Sequence, residues 1–319
     1  MRRALIAVLL LPAVRGFAVT GSLRPVNNTF VLSPGVGSPL PDANDRNFGG
    51  SGSLCVSSST ARAYDPNEGI DHQPKGEFIT LLKFDASLCK GTTLSRMTLK
   101  LAITSGNQSA NGAFNYLGSP GDFDLLWISN DWQQGYGTPS VTAGPDVGIT
   151  YTELVSLLDS TTPTYLETLH YDARHPYSAG ENWFAFELDL TDPNYAGLVV
   201  AIENDEIVTF MLHAPLNSGA CFNIRAYVQC NKNGTYTIRD TGPYLEVETT
   251  LAAGAVDFDS NGRIDSADLS CIVDHWQETG DGLVGDIVPL GGDGVIDLQD
   301  LIEFMTYWEP SETQPTTVE

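Results

Sequence analysis

Between residues 76 and 250, apolar side chains recur at every second position in one short stretch after another, and a period of two is the signature of strands. Leu99, Leu101 and Ile103 alternate with Lys100 and Thr104. Phe184, Phe186, Leu188 and Leu190 alternate with Ala185, Glu187 and Asp189. TFMLHA (209–214), CFNIRAYV (221–228) and YLEVET (244–249) follow the same rule, while EFITLLKFD (77–85) is apolar on both faces, as a central strand would be. Clusters of Gly, Pro, Asn and Asp, such as SPGVGSPLPDAND and NKNG, separate the stretches. Before residue 260 only Thr150–Asp159 has a helical period. Many strands without crossover helices predict an antiparallel β-sandwich, a jelly roll, over 19–250.

Length and charge bound the rest. A chain of 319 residues has room for one large domain and one small one. Its formal net charge of −24 opposes nucleic acid, which basic side chains hold by releasing counterions, and it opposes anionic lipid for the same reason. The basic opening MRR, the apolar run Ala4–Val14 and the small residues Gly16 and Ala18 predict a secretory signal sequence over 1–18. That run is too short to cross a bilayer, and no later stretch approaches the roughly 20 apolar residues a crossing needs. No membrane insertion is expected after cleavage, and the destination is extracellular or cell-surface.

Export permits disulfides. The cysteines are Cys55, Cys89, Cys221, Cys230 and Cys271. Cys221 and Cys230 bracket what reads as one strand, whose ends stand roughly 30 Å apart, too far to bond each other. Cys55 with Cys89 is the first pairing to test.

The character of the chain changes near Leu251, where a linker is expected over 251–253. From residue 252 onward, ten Asp and five Glu stand against a single Arg, a net of −14. Within this region DFDSNGRIDSAD (257–268) places oxygen donors as a twelve-residue calcium loop requires. Ca²⁺ takes roughly six to eight hard oxygens, supplied from loop positions 1, 3, 5, 7, 9 and 12. Here those are Asp257, Asp259, Asn261, the main-chain carbonyl of Arg263, Asp265 and Asp268. Gly262 stands sixth, where the sharp turn needs a positive φ. Ile264, at the eighth position, is expected to form a short β contact with a second loop.

A displacement of 32 residues carries Gly262, Ile264, Asp265 and Asp268 onto Gly294, Ile296, Asp297 and Asp300. It also carries Leu269, Ile272, Val273 and Trp276 onto Leu301, Phe304, Met305 and Trp308. Each series is spaced i, i+3, i+4, i+7, one face of a helix, so two helices are expected to pack through these residues. In the second loop, DIVPLGGDGVID, Asp286 reaches position 1 only if about three residues are inserted before Asp293. Its other donors are the carbonyl of Val295, Asp297 and Asp300.

This duplicated loop and helix, with no helix entering the first loop, resembles the type I dockerin domain over about 254–309. The resemblance implies a small all-α module with Ca²⁺ as its cofactor and a cohesin-like or other surface protein as its partner. In that family, positions 10 and 11 of each loop meet the partner. Here they are Ser266–Ala267 and Leu298–Gln299, unlike the Ser–Thr pair of cellulosomal dockerins. The tail 310–319 is expected to be disordered.

RNFGG (46–50), ITLLKFDAS (79–87), NDWQQGYGTPS (130–140), WFAFELDLT (183–191) and GPYLEVE (242–248) resemble carbohydrate-binding-like jelly rolls of the DNRLRE or disaggregatase-related group. That resemblance spans about 25–250 and implies adhesion or glycan binding. Sugar rings stack on exposed aromatic faces, and polar neighbours fix their hydroxyls. In the glycine-rich loop Trp132 and Tyr136 supply rings, with Asp131, Gln133, Asn130 and Gln134 as polar partners; Trp127 reads as core. No nucleophile–base motif of recognisable spacing occurs. His170 and His175 beside Asp172 and Arg174, and the separate His72 and His213, carry no metal or acid–base signature.

The expectation is a secreted, non-catalytic protein whose sandwich binds glycan or a surface. Its calcium module would attach it to an extracellular polysaccharide-associated assembly. The competing expectations are a glycoside hydrolase or polysaccharide lyase on the same sandwich, and a structural surface-layer component.

Overall fold

The computed structural model describes residues 19–308 apart from 36–37, 39, 62, 66–69, 73–75, 105–118, 139–140, 173–181, 205, 252–255, 281 and 289–291. The expected signal sequence, the tail 310–319 and residues 252–253 of the expected linker lie outside the described residues, as does His175. Leu251 is the last residue of a strand. No helix among the described residues is long and apolar enough to cross a membrane.

The protein is mainly β, built on an antiparallel sheet that curls. Its strands are β1 (Val19–Leu23), β2 (Pro25–Pro34), β3 (Ser53–Ser57), β4 (Ala63–Asp65), β5 (Ile70–His72), β6 (Gly76–Asp85), β7 (Thr92–Thr104) and β8 (Gly121–Ile128). They continue as β9 (Thr164–Tyr171), β10 (Asn182–Leu188), β11 (Ile207–His213), β12 (Cys221–Arg225), β13 (Val228–Cys230), β14 (Tyr236–Ile238) and β15 (Tyr244–Leu251). Eleven form one sheet, in the order β1-β15-β7-β12-β3-β6-β11-β8-β9, with β10 added to β7 and β2 to β6. The remaining four make two hairpins, β4–β5 and β13–β14. The apolar-on-both-faces stretch is β6, paired along one edge with β2 and along the other with β11.

The larger of two compact units, Ser22–Lys90 with Arg96–Val247, is held by aromatic rings from distant parts of the sheet. Phe123 of β8 meets Phe186 of β10 edge-on at 5.3 Å and Phe222 of β12 at 5.2 Å, and Tyr171 of β9 lies 4.6 Å from Phe222. Strands far apart in the sheet order therefore share one core. Fully burying rings of this size is worth roughly 1.5–3 kcal/mol each.

Two helices interrupt the β pattern, α1 (Tyr151–Ser160) and α2 (Ala196–Glu203). α1 starts where the periodicity places it, because Thr150 and Glu153 form a reciprocal capping box. α2 contradicts the expectation of a single helix in this region. Its sequence AGLVVAIE is apolar at nearly every position, so it has no periodic signal to read.

The expected single strand across 221–230 is also broken, at Ala226–Tyr227, between β12 and β13. The buried Asn28 side chain accepts both Tyr227 N–H and Val228 N–H at 2.8 Å, drawing the main chain off the ladder. None of the five cysteines, all within the described residues, forms a disulfide, so the Cys55–Cys89 pairing is not made. Cys55 of β3 instead faces Asn223 of β12 across the sheet.

The second unit holds the acidic region, from Glu248 onward together with Gly91–Ser95. Its two helices are α3 (Ser266–Asp274) and α4 (Leu298–Tyr307), and Val256, Ile264, Ile272, Ile296 and Phe304 form its core. The region is not purely helical, since Thr279 and Val295 form an antiparallel bridge. The matched apolar series are not both buried either. Ile272 and Phe304 are inside and Leu269, Leu301 and Trp308 pack on them, but Val273 is 55% exposed and Trp276 and Met305 also face out. α3 stops at Asp274, and the chain then turns back through Gln277, whose φ is +63°. That turn carries Trp276 away from the core.

Candidate metal centre

The first loop is organised by its own carboxylates. Asp257 accepts Asn261 N–H through Oδ1 at 3.0 Å and Gly262 N–H through Oδ2 at 2.7 Å. Gly262 sits at φ +82°, the left-handed turn that its lack of a Cβ permits. Asn261 Oδ1 accepts Arg263 N–H at 2.9 Å, and Asn261 Nδ2 donates to Asp259 at 2.8 Å. Asp265 caps α3 by accepting Ala267 N–H, while Asp268 reaches back to accept Asp265 N–H at 2.9 Å and Asp259 N–H at 3.2 Å.

The result is a convergence of Asp257, Asp259 and Asp268, whose ligating oxygens lie within 4.8 Å of one another. Asp268 is completely buried. Among the described residues no Lys, Arg or His pairs with any of the three. Buried charge is costly unless it is paired or coordinates a cation, so this donor set fits a hard metal ion. Arg263 stands at the seventh place of the loop and donates its N–H to Asn261 Oδ1.

The second loop repeats the hydrogen-bond skeleton with a longer first half. Asp286 accepts Asp293 N–H at 3.0 Å and Gly294 N–H at 2.8 Å, as Asp257 does for Asn261 and Gly262. Asp293 Oδ1 accepts Val295 N–H at 3.0 Å, as Asn261 does for Arg263. Asp300 Oδ2 accepts Asp297 N–H, as Asp268 does for Asp265. These bonds equate Asp286 with Asp257 and Gly294 with Gly262, which places the extra residues between positions 1 and 5. The Asp286 carboxylate occupies the space beside Gly292, where a Cβ would come within 2.4 Å of it at φ +78°.

Position 3 is where the loops differ. In the first loop Asp268 Oδ1 binds the N–H of Asp259; in the second Asp300 Oδ1 binds the N–H groups of Ile287 and Val288 at 2.7 and 3.0 Å. Val288 thus stands in the place of Asp259 and brings no side-chain oxygen, a substitution that the undetermined insertion point hides in the sequence. Among the described residues only the first loop gathers three carboxylates. Burial raises the Asp300 carboxyl above its ordinary value, three main-chain N–H bonds pull against that, and the Asp286 charge adds to the rise.

The expected β contact of Ile264 with the second loop is replaced. Ile296 pairs its main chain with Gln277 and Glu278, at 2.8 and 3.2 Å. Ile264 and Ile296 both belong to the module's core.

No family model matches the chain, and no curated protein does. The chemistry therefore rests on its own residues.

The tryptophan loop is not the open platform that its sequence suggests. Trp132 is only 7% exposed and packs with Val31, Leu81 and Ile149. Its indole N–H donates to Thr209 Oγ1 at 3.1 Å. Lys83 lies over its ring, 4.5 Å from the centroid, and donates to the carbonyls of Asn130 and Trp132 at 2.8 and 2.7 Å. Burial lowers the Lys83 pKa, and the nearby Asp131 partly offsets this.

Gln134 is an interior bracket, accepting Asn28 N–H at 2.9 Å and donating to Gly49 O and Val228 O at 2.7 and 2.9 Å. Asn47 completes it by donating to Gln134 O at 2.6 Å and accepting Gly137 N–H at 3.0 Å. RNFGG and NDWQQGYG are therefore each other's packing partners. Gly49 allows this approach, since a Cβ there would stand 1.9 Å from Gln134 O. Of the proposed sugar contacts, Asp131 and Gln133 are exposed and border a cleft of about 300 Å³ with Asp146, Glu153 and Leu157. Tyr136 is half-buried and does not border that cleft.

Of the histidines, His213 Nε2 meets Glu77 Oε1 at 2.7 Å, which with Tyr151 holds the Glu77 carboxyl below its ordinary value. His170 Nδ1 meets Asp122 at 2.6 Å on the surface.

Proposed function

We propose that this is a secreted, non-catalytic calcium-binding protein with two working parts. The larger unit is a jelly-roll sandwich that recognises glycan, and the acidic module is dockerin-like and docks the chain onto a cohesin-like surface protein. The observation that carries this reading is the shared hydrogen-bond skeleton of the two acidic loops, together with the three carboxylates that converge in the first. A chance acidic turn has no reason to recur with the same donor–acceptor pairs. The donors are hard oxygens in a twelve-residue loop with a left-handed glycine at the sixth place, the arrangement that suits Ca²⁺ better than a softer metal.

In this reading Asp257, Asp259, Asn261, Asp265 and Asp268, with the Arg263 carbonyl, hold one ion. Asp286, Asp293, Asp297 and Asp300, with the Val295 carbonyl, hold a second more weakly, because position 3 is lost. Support for docking comes from α4, where Leu298, Ile302 and Met305 are spaced i, i+4, i+7 and all are exposed. Calorimetry of the full chain with Ca²⁺ and with EGTA tests the metal assignment. A melting transition that rises with Ca²⁺ supports it, and one that stays in place refutes it.

A further inference from the structure

The glycan surface that the tryptophan loop does not provide exists elsewhere on the larger unit. Trp183 of β10 is 40% exposed, and its ring meets that of Tyr244 of β15 at 5.3 Å and 68°. The Arg24 guanidinium lies over Tyr244 at 4.4 Å and 5.5 Å from Tyr227, and donates to Gly242 O at 3.2 Å. Two more arginines meet at the same turn. Arg225 donates to Thr241 Oγ1 at 2.9 Å, and the exposed Arg239 donates through Nε to Gln229 Oε1 at 2.8 Å. Arg239 N–H also binds Tyr227 O, and Gly242 N–H binds Arg239 O, so the turn is tied to the aromatic rings by its own main chain.

The chain has 16 Lys and Arg against 40 Asp and Glu. Three guanidiniums at one turn beside three rings are a local inversion of that balance. Asp240 is the carboxylate within the turn, and the nearby Glu246 of β15 is paired with Lys100 at 3.2 Å. Among the described residues neither Arg24 nor Arg239 has a carboxylate partner. Guanidinium is the group suited to bidentate pairing with carboxylate, and an indole face suits the C–H face of a pyranose.

We infer that this platform binds an acidic polysaccharide, a uronate-bearing glycan whose rings stack on Trp183 and whose carboxylates pair with Arg239 and Arg24. The inference rests on the glycan-binding reading above and names its ligand class and its site. Elsewhere the acidic surface repels such a chain, so the glycan is registered at this one place. At about 0.1 M salt the Debye length is near 10 Å, which screens the distant repulsion and leaves the contact pairs in force.

The test is titration calorimetry of the intact chain at that salt against polygalacturonate, a neutral galactan and oligo-dT, with Trp183→Ala and Arg239→Gln. Both residues are exposed, and an unchanged thermal melt confirms folding of each variant. Polygalacturonate is expected to bind, with affinity falling tenfold or more in each variant and no binding of galactan. No binding of polygalacturonate, or binding that ignores both substitutions, overturns the inference. Galactan bound without polygalacturonate leaves the glycan reading standing and removes this one. Binding of none of the three ligands removes both, and oligo-dT bound through Trp183 replaces the glycan by a nucleic acid.

Discussion

Asp286 receives the main-chain N–H of Gly294 at 2.8 Å from eight residues away, the same bond that joins Asp257 to Gly262 across five. The two loops are thus one device built at two lengths, and the longer one has lost its third donor. Unequal affinity for metal is the outcome that this difference predicts.

Asp259 is the exposed member of the converging trio, and it provides charge more than packing. Asp259→Asn is expected to weaken Ca²⁺ binding about tenfold or more, because loop affinity follows the count of charged ligands. The metal-free melt should move little. Titration calorimetry and thermal melts with EGTA read the two effects separately.

Val288 occupies the place that Asp259 fills in the first loop. Val288→Asp is expected to strengthen the second site and raise the number of tightly bound ions from one to two, read by equilibrium dialysis. A stoichiometry that stays at one would show that the extra residues, not the missing oxygen, limit the second loop.

Glu303 lies buried in α4, and Tyr307 donates to its Oε1 at 3.2 Å. Burial raises its carboxyl above the ordinary glutamate value, with the Tyr307 hydrogen bond pulling the other way. Well below the ordinary glutamate value of 4.5 the residue is protonated whether folded or not. As pH rises through the raised value the unfolded chain is already ionised, so the native state loses stability in that window. Glu303→Gln keeps an acceptor for Tyr307 and removes the charge. It is expected to stabilise the module by roughly 1 kcal/mol at pH 8 and by almost nothing at pH 4, measured by denaturant melts with EGTA present.

Gln134 satisfies Asn28 N–H, Gly49 O and Val228 O at once. Gln134→Leu leaves Asn28 N–H without its acceptor and takes one donor each from Gly49 O and Val228 O, which keep Cys230 N–H and Asn28 Nδ2, and it is expected to cost about 1–3 kcal/mol. Trp132→Phe should likewise lower stability while leaving polygalacturonate binding unchanged, since Trp132 is interior. Melts and titrations on the same samples separate these outcomes.

The convergence of Asp257, Asp259 and Asp268 was legible because all three lie in one local segment, where a strict pattern of positions sets the geometry. β6 was legible for a similar reason, its apolar character on both faces declaring a strand with neighbours on both sides. Trp132 was not, because Lys83 and Thr209, from distant strands, decide that its ring is covered. The break at Tyr227 was equally hidden, since Asn28 causes it from the other end of the unit. The Trp183 platform could not be found by scanning one loop, because its rings and guanidiniums come from β10, β15, the 225–242 region and the residue after β1. Only α2 failed for want of a local signal, its sequence being apolar all round.

The pairing of β3 with β12 also sets the order in which this protein can form. Cys55 waits for Asn223, and β7 waits for β10 and for the strand ending at Leu251. Closing such long spans costs chain entropy before any contact repays it, so folding in milliseconds to seconds is expected rather than microseconds. During synthesis β2 can meet β6 within the first 85 residues, while β1, β3 and β7 wait for β15, β12 and β10 from later in the chain. The sheet is therefore completed only when the strands between Cys221 and Leu251 exist, and the last steps of folding follow most of the chain's synthesis.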